Sequence, residues 1–403
     1  MTVKDVITFI KSNKYVKLLL FFTLEFAIAF FSFIAIILAA LSISVRDSYY
    51  YSIGFFVFAI LLMIVTGISF YSKSKQLIKT SWFSWIIAFV LFVGVYESIR
   101  WTKKLVPPIQ APFVELERYQ PFADSSLVAL LNEPSALQLT DSLPRIDGAT
   151  AFYPLYSAFV RAVYPNAYYD LDTSILKCSK TDYAFSELAY NHCDIIFAFA
   201  PSAEQENDAW DYDSVKFKLT PIGKEGFVFF VNAKNPVNSI TTEQLRKIYS
   251  GEITNWLQLG GSDEKIKAFQ RNANSGSQTA FIEFMKGYEI MKPPGEYMQF
   301  FMEGVIYETA SYANYNSAIG YSFRYFADEM VANEGIKLLK IDGVEPTSEN
   351  IKNNTYPLVF DFYAITRKND ITSNANKLIE WILSPQGQLL IEKTGYSPIN
   401  TVN

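Results

Sequence analysis

The sequence predicts an α/β fold with parallel sheets and crossover helices, preceded by three membrane-crossing helices. Three observations carry this. Long apolar runs fill the first hundred residues, while from about residue 140 short β-rich runs alternate with amphipathic segments. At three places in that second part, a strand-like run passes through small polar residues into helical spacing. A chain of 403 residues, half of them hydrophobic, is long enough for two or three such units.

The apolar runs come first in the chain: Leu18 to Val45, roughly Tyr49 to Tyr71, and Trp82 to Tyr96. The first two exceed the roughly 20 residues that a helix needs to cross a bilayer, and the third is shorter. Lys4, Lys11, Lys14 and Lys17 precede the first run, only Arg46 separates the first from the second, and Lys73, Lys75 and Lys79 separate the second from the third. The positive-inside rule then predicts a multi-pass inner-membrane protein with a cytoplasmic N-terminus and everything after Trp101 outside. Glu25 lies inside the first run, where it reads either as a functional acid or as a carboxyl packed against a neighbouring helix. "KKLVPPIQAPFVELERYQPF", with four prolines and no period, reads as a linker or stalk over 105–139.

Charge divides at the same place. Residues 1–104 carry eleven Lys or Arg against four Asp or Glu, a charge of +7, so the formal total of −5 leaves −12 for the rest. An acidic remainder argues against nucleic acid as a partner. Two cysteines, Cys178 and Cys193, are too few for a disulfide framework and read as structural thiols at opposite ends of one helix.

In the second part, "DIIFAFA" and "GFVFFVN" read as buried strands, and "TTEQLRKIYSG" as a helix opened by a Thr cap and closed near Gly251. The three loops follow one plan. In "RIDGATAFYPLYSAFV", Gly148 and Thr150 precede Phe152, Leu155, Phe159 and Val160 at helical spacing. In "KCSKTDYAFSELAY", Ser179 and Thr181 precede Ala184 and Leu188. In "FQRNANSGSQTAFIEFM", Ser275, Gly276 and Ser277 precede Phe281, Phe284 and Met285. A hydroxyl at each helix start is explained by N-capping, and the same geometry also binds anions. Arg271 favours the second reading for the third loop, because a guanidinium can grip an oxyanion bidentately.

Several phrases, in order, resemble the phosphate-binding subunits of ABC importers, a periplasmic-binding-protein family. They are "DGAT" at 147–150, "CDIIFAFAPSAEQ" from 193, "GFVFFVNAKNPV" from 226 and "TTEQLRKIYSGEITNWLQLGG" from 241, followed by "RNANSGS" from 271, "SAIGYS" from 317 and "LIEWILSPQGQLLIEKTGYSPI" from 378. The resemblance covers about residues 140–403 and implies a two-lobed type II fold, with one lobe about 140–222 and 358–403 and the other about 223–357. It implies oxyanion contacts from Thr150 and Ala151 in the first loop, Thr181 in the second, and Arg271, Ser275, Gly276 and Ser277 in the third. The family places an Asp just after the strand "DIIFAFA", where this chain has Phe199. Either the ring lines the cleft, or it points into the core and a neighbouring loop supplies the acceptor.

The expected function is a membrane-tethered extracytoplasmic binding protein for phosphate or a similar oxyanion, which delivers it to an ABC transporter permease. The alternatives are a receptor that signals lobe closure to a membrane partner, for which three spans are the argument, and an adaptor that no longer binds ligand. An enzyme is not expected. The one histidine, His192, falls at a helix end, no G-x-S-x-G, G-x-x-x-x-G-K-[ST] or H-E-x-x-H pattern occurs, and Ser275 and Ser277 have no evident base. Neither a cofactor nor a metal site is expected.

Overall fold

The computed structural model describes residues 59–105, 114–292 and 317–399, with short stretches between 15 and 26 and between 298 and 310. The chain divides into two units, Met1–Pro107 and Pro108–Asn403. In the first unit, residues 59–71 are helical, and α1 (Lys75–Leu105) follows a short break. The Trp82 indole N–H donates to Ser69 Oγ at 2.8 Å and ties these two helices together.

Among the described residues no helix is long and apolar enough to cross a membrane, and this overturns the expectation of a multi-pass inner-membrane protein. The reason is visible in α1, the site of the third expected span. Its 31 residues are long enough, but Thr80, Ser81 and Ser84 dilute the run after Lys79, and Glu97, Arg100, Lys103 and Lys104 follow it. Most of the first expected span with its Glu25, and the beginning of the second, lie outside the described residues.

The second unit is a mixed α/β structure of two lobes that share one sheet. In the first lobe, β1 (Ile146–Gly148) pairs in parallel with β2 (Ile195–Ala198), and α2 (Tyr153–Val163) and α3 (Lys180–Ala189) lie between them in sequence. The helix α4 (Ala203–Asp213) then starts at a capping box, in which Ser202 and Gln205 satisfy each other's backbone N–H groups. A 16-residue strand, β3 (Phe217–Asn232), crosses to the second lobe. There α5 (Thr242–Tyr249) opens with the expected Thr241 cap, and β4 (Lys267–Ala268), α6 (Gly276–Phe284), β5 (Ala318–Phe323) and β6 (Ile336–Leu338) complete the lobe. The chain returns by β7 (Val359–Arg367) to α7 (Ser373–Ile382) and α8 (Pro385–Thr394).

The sheet is mixed, not parallel as the alternation of elements suggests. Pairing is parallel for β1–β2 and β4–β5, but β3 and β7 run antiparallel to each other, and β3 also runs antiparallel to β5. The register explains the crossing. Residues 217–226 of β3 pair with β7, and from Phe227 onward the partner is β5, starting with Phe227 opposite Phe323. Gly226 sits at the changeover, where a Cβ would lie 2.5 Å from the Ile351 side chain. Upstream, residues 114–145 pack onto this unit. Val128 and Leu139 are buried, Lys393 Nζ donates to Leu130 O and Asn132 Oδ1, and Arg161 donates to Pro121 O.

Next to the changeover, the Glu225 carboxylate is buried at 1% exposure. It accepts from Gly226 N at 2.7 Å and Tyr325 N at 3.3 Å, and the Arg324 guanidinium lies 3.8 Å away. Arg324 also donates to Gly395 O at 2.7 Å, just beyond α8, so this cluster joins the two lobes beside the crossing strand. Burial raises the Glu225 carboxyl from the ordinary 4.5 to about 7, against the opposing pull of Arg324. The folded state therefore favours the protonated acid. Its contribution to stability is complete below pH 4.5 and is lost as pH rises through about 7. Glu225→Gln cannot ionise, so its melting temperature relative to the parent should climb between pH 4.5 and 7. Parallel melting curves for the two proteins across that window would refute this account of Glu225.

Candidate functional site

A cavity of about 450 Å³ opens in the second unit, and the three loops singled out in the sequence meet there. Thr150 and Ala151 reach it from the first loop and Thr181 from the second. Arg271, Ser275, Gly276 and Ser277 reach it from the third, so all seven sequence-selected residues line one cavity. Each loop delivers the start of a helix. The 3-10 turn Thr150–Phe152 runs into α2, Lys180 begins α3 and Gly276 begins α6. First-turn N–H groups lack intrahelical acceptors, and the positive ends of three helix dipoles therefore lie around one space.

The expected capping pattern holds in only one of these loops. Ser275 Oγ accepts from Gln278 N at 3.3 Å, as an N-cap should. The first helix start has Ala149 as its cap residue and no side-chain cap bond. At the second, Ser179 makes no cap bond either, and its hydroxyl donates to the Asp147 carboxylate at 2.5 Å. Two of the three helix starts therefore meet the cavity without a side chain of their own as acceptor.

Asp147, which sequence reading noticed only as part of "DGAT", joins the first two loops. It is fully buried and also accepts from Ser179 N at 2.8 Å and Gly148 N at 2.7 Å. Burial raises its pKa above the usual carboxylate value, although these bonds pull the other way. Gly148 is required beside it, since a Cβ there would lie 2.5 Å from Phe197 O on the neighbouring strand.

The third loop is held from both lobes. The Arg271 backbone N donates to Gln278 Oε1 at 3.0 Å and to Tyr321 Oη at 3.1 Å, and its guanidinium Nη1 donates to Ser277 Oγ at 3.3 Å. Asn274, left-handed at φ +64°, reaches across to the start of α4. It accepts from Ser202 Oγ at 2.6 Å, donates to Glu204 Oε2 at 3.0 Å, and its carbonyl accepts from Gln205 Nε2 at 3.2 Å. Gly276 stands opposite the second loop, where a Cβ would lie 3.5 Å from Thr181 Oγ1 and equally close to the Phe199 ring.

Phe199 combines the two readings made from sequence. It belongs to the core at 4% exposure, and it also lines the cavity. Its ring stacks on Phe323 of the other lobe, with centroids 3.5 Å apart and planes 9° from parallel. Other lining residues were missed: Lys180, Asp182 and Tyr183 on the second loop, and Val114 and Leu116 far upstream. Lys180 adopts φ +73°, a left-handed conformation that costs roughly 1–2 kcal/mol and gives no signal in the sequence. Asp182 is an exposed carboxylate at this cavity. Among the described residues no His, Cys, Asp and Glu group could hold a metal ion. His192 is an exposed residue paired with Glu187 at 3.1 Å, beyond the end of α3.

The sequence profile of a PBP superfamily domain matches residues 138–386. The chain belongs to the PBP superfamily. Among its relatives, the phosphate-binding protein PstS of Borreliella burgdorferi is 27% identical over 189 residues, which are 46% of this chain and 67% of that one. PstS of Bacillus subtilis is 30% identical over 177 residues, or 43% of this chain and 55% of that one. The fold is shared with a phosphate ABC transporter substrate-binding protein of Clostridium perfringens. That structure aligns at a TM-score of 0.50 and 22% identity over 65% of this chain and 100% of the other. The relatives that it matches are named as phosphate-binding proteins and not as enzymes.

Asp147 is a positioning residue in this arrangement, since its bonds run to the loops on either side. Bonds to charged groups contribute roughly 1.5–3 kcal/mol each and do not add fully. Asp147→Ala should therefore lower unfolding stability by about 3 kcal/mol or more in denaturant titration, and an unchanged midpoint would show that the loops are held by other contacts.

Proposed function

We propose that this protein binds phosphate or a chemically similar oxyanion between its lobes and passes it to an ABC importer permease. The observation that carries the reading is the convergence of a buried guanidinium, Arg271, with three helix starts and the hydroxyls of Thr150, Thr181, Ser275 and Ser277 on one cavity. Helix N-termini supply backbone N–H donors and positive dipole ends, and Arg supplies a planar pair of charged donors that suits a tetrahedral oxyanion. The names of the PstS relatives support phosphate as the anion, and the transporter named with the Clostridium perfringens structure supports the partner. Lobe closure on the anion fits the bridges already made across the cleft by Asn274 and by the Phe199–Phe323 stack.

A charge-assisted bond contributes roughly 1.5–3 kcal/mol, so Arg271→Ala should weaken phosphate binding about tenfold or more in calorimetry, and Arg271→Lys should recover part of the loss. Phosphate affinity equal to that of the parent would place the anion elsewhere.

The ring of Phe199 also bears on selectivity. A buried acceptor distinguishes a protonated anion from a fully deprotonated one, and a phenyl ring cannot. Sulfate should therefore compete with phosphate to within about tenfold. Strong rejection of sulfate in competition calorimetry would show that an acceptor elsewhere in the cavity does this work.

A further inference from the structure

The cavity is larger and more apolar than an inorganic anion requires. A tetrahedral oxyanion has five heavy atoms, whereas about 450 Å³ falls in the range of roughly 300–1,000 Å³ typical of pockets for organic ligands. Beside the donors already described, the cavity is lined by Phe199, Phe323, Phe326, Val114 and Leu116. The three rings are each at most 4% exposed, and Phe199 is fixed between Phe323 at 3.5 Å and Phe152 at 4.9 Å. They form a rigid wall rather than loose surface side chains. The two kinds of lining meet at Gly276, whose missing Cβ would touch both Thr181 Oγ1 and the Phe199 ring at 3.5 Å.

We propose that the ligand is a phosphate monoester or phosphonate whose oxyanion head lies on the three loops and whose small apolar or aromatic substituent lies against Phe199 and its neighbours. This rests on the oxyanion reading above and adds the class of molecule that carries the anion. Hydrogen phosphate has a P–OH that must donate to an acceptor, and leaving it unpaired beside a ring is unfavourable. In a monoester dianion that oxygen carries carbon instead, and in a phosphonate carbon replaces it. Neither leaves a proton to place, and both gain from an apolar wall. The carboxylate that reaches the cavity, Asp182, is exposed on the first turn of α3. Val114 and Leu116 are informative for another reason. They lie upstream of residues 138–386, so part of the apolar wall comes from outside the matched superfamily domain.

The test is calorimetry on the full-length chain with inorganic phosphate, methyl phosphate, phenyl phosphate and phenylphosphonate. Phenyl phosphate should bind about tenfold more tightly than inorganic phosphate, as expected for burying one apolar ring face, with methyl phosphate between them. Phe199→Asp should reverse that order. Inorganic phosphate binding as tightly as phenyl phosphate in the parent protein, or more tightly, overturns the monoester assignment and leaves the oxyanion reading intact. If none of the four anions binds, the oxyanion reading itself falls. The parent measurement decides the matter even if Phe199→Asp does not fold.

Discussion

The buried carboxylate of Asp147 is the constraint on which the geometry of the site depends. By accepting from Gly148 N and from both the N–H and the hydroxyl of Ser179, it fixes the first two loops to each other. The Ser179 hydroxyl is thereby directed at Asp147, and it makes no cap bond to α3. A buried carboxylate needs such partners, because an unpaired one is too costly to keep in the interior. The helix start at the second loop carries no side-chain cap, and its residues line the cavity.

The third loop belongs to the other lobe and is positioned by a separate set of contacts. Gln278 and Tyr321 hold the Arg271 backbone, and Asn274 reaches across the cleft to the capping box of α4. The lobes are joined in turn by β3, whose pairing changes at Gly226, with Glu225 and Arg324 buried beside the changeover. The lobes are thus held to each other at two separate points, by Asn274 at the cleft and by the Glu225 and Arg324 cluster at the crossing.

Phe199 shows how one position can serve two purposes. Its stack on Phe323 is a core contact between lobes, and its remaining edge is cavity wall. An Asp in its place would add an acceptor to the cavity but would lose the stack and require hydrogen bonds of its own. Packing at this position therefore trades against polarity of the cavity wall.

The local signals were strong in the sequence. The Thr241 cap, the buried runs that became β2 and β3, and the ordered phrases from "DGAT" to "GYSPI" were all legible, because caps, strand periodicity and turn residues act over a few neighbouring positions. The seven residues chosen for the three loops were implied by the family resemblance, and all of them line one cavity. Apolar content in the first hundred residues was also plain, but composition alone overstated it, since in α1 charged residues bound the run at Lys79 and Glu97. Only the tertiary structure decided that Ser179 would bond Asp147 rather than cap its helix, that Lys180 would turn left-handed into the cavity, and that Val114 and Leu116 would complete its wall. Those outcomes depend on contacts between residues tens to hundreds of positions apart, which no local pattern encodes. The sequence determined which segments could present donors, and packing decided where they met and what surrounded them.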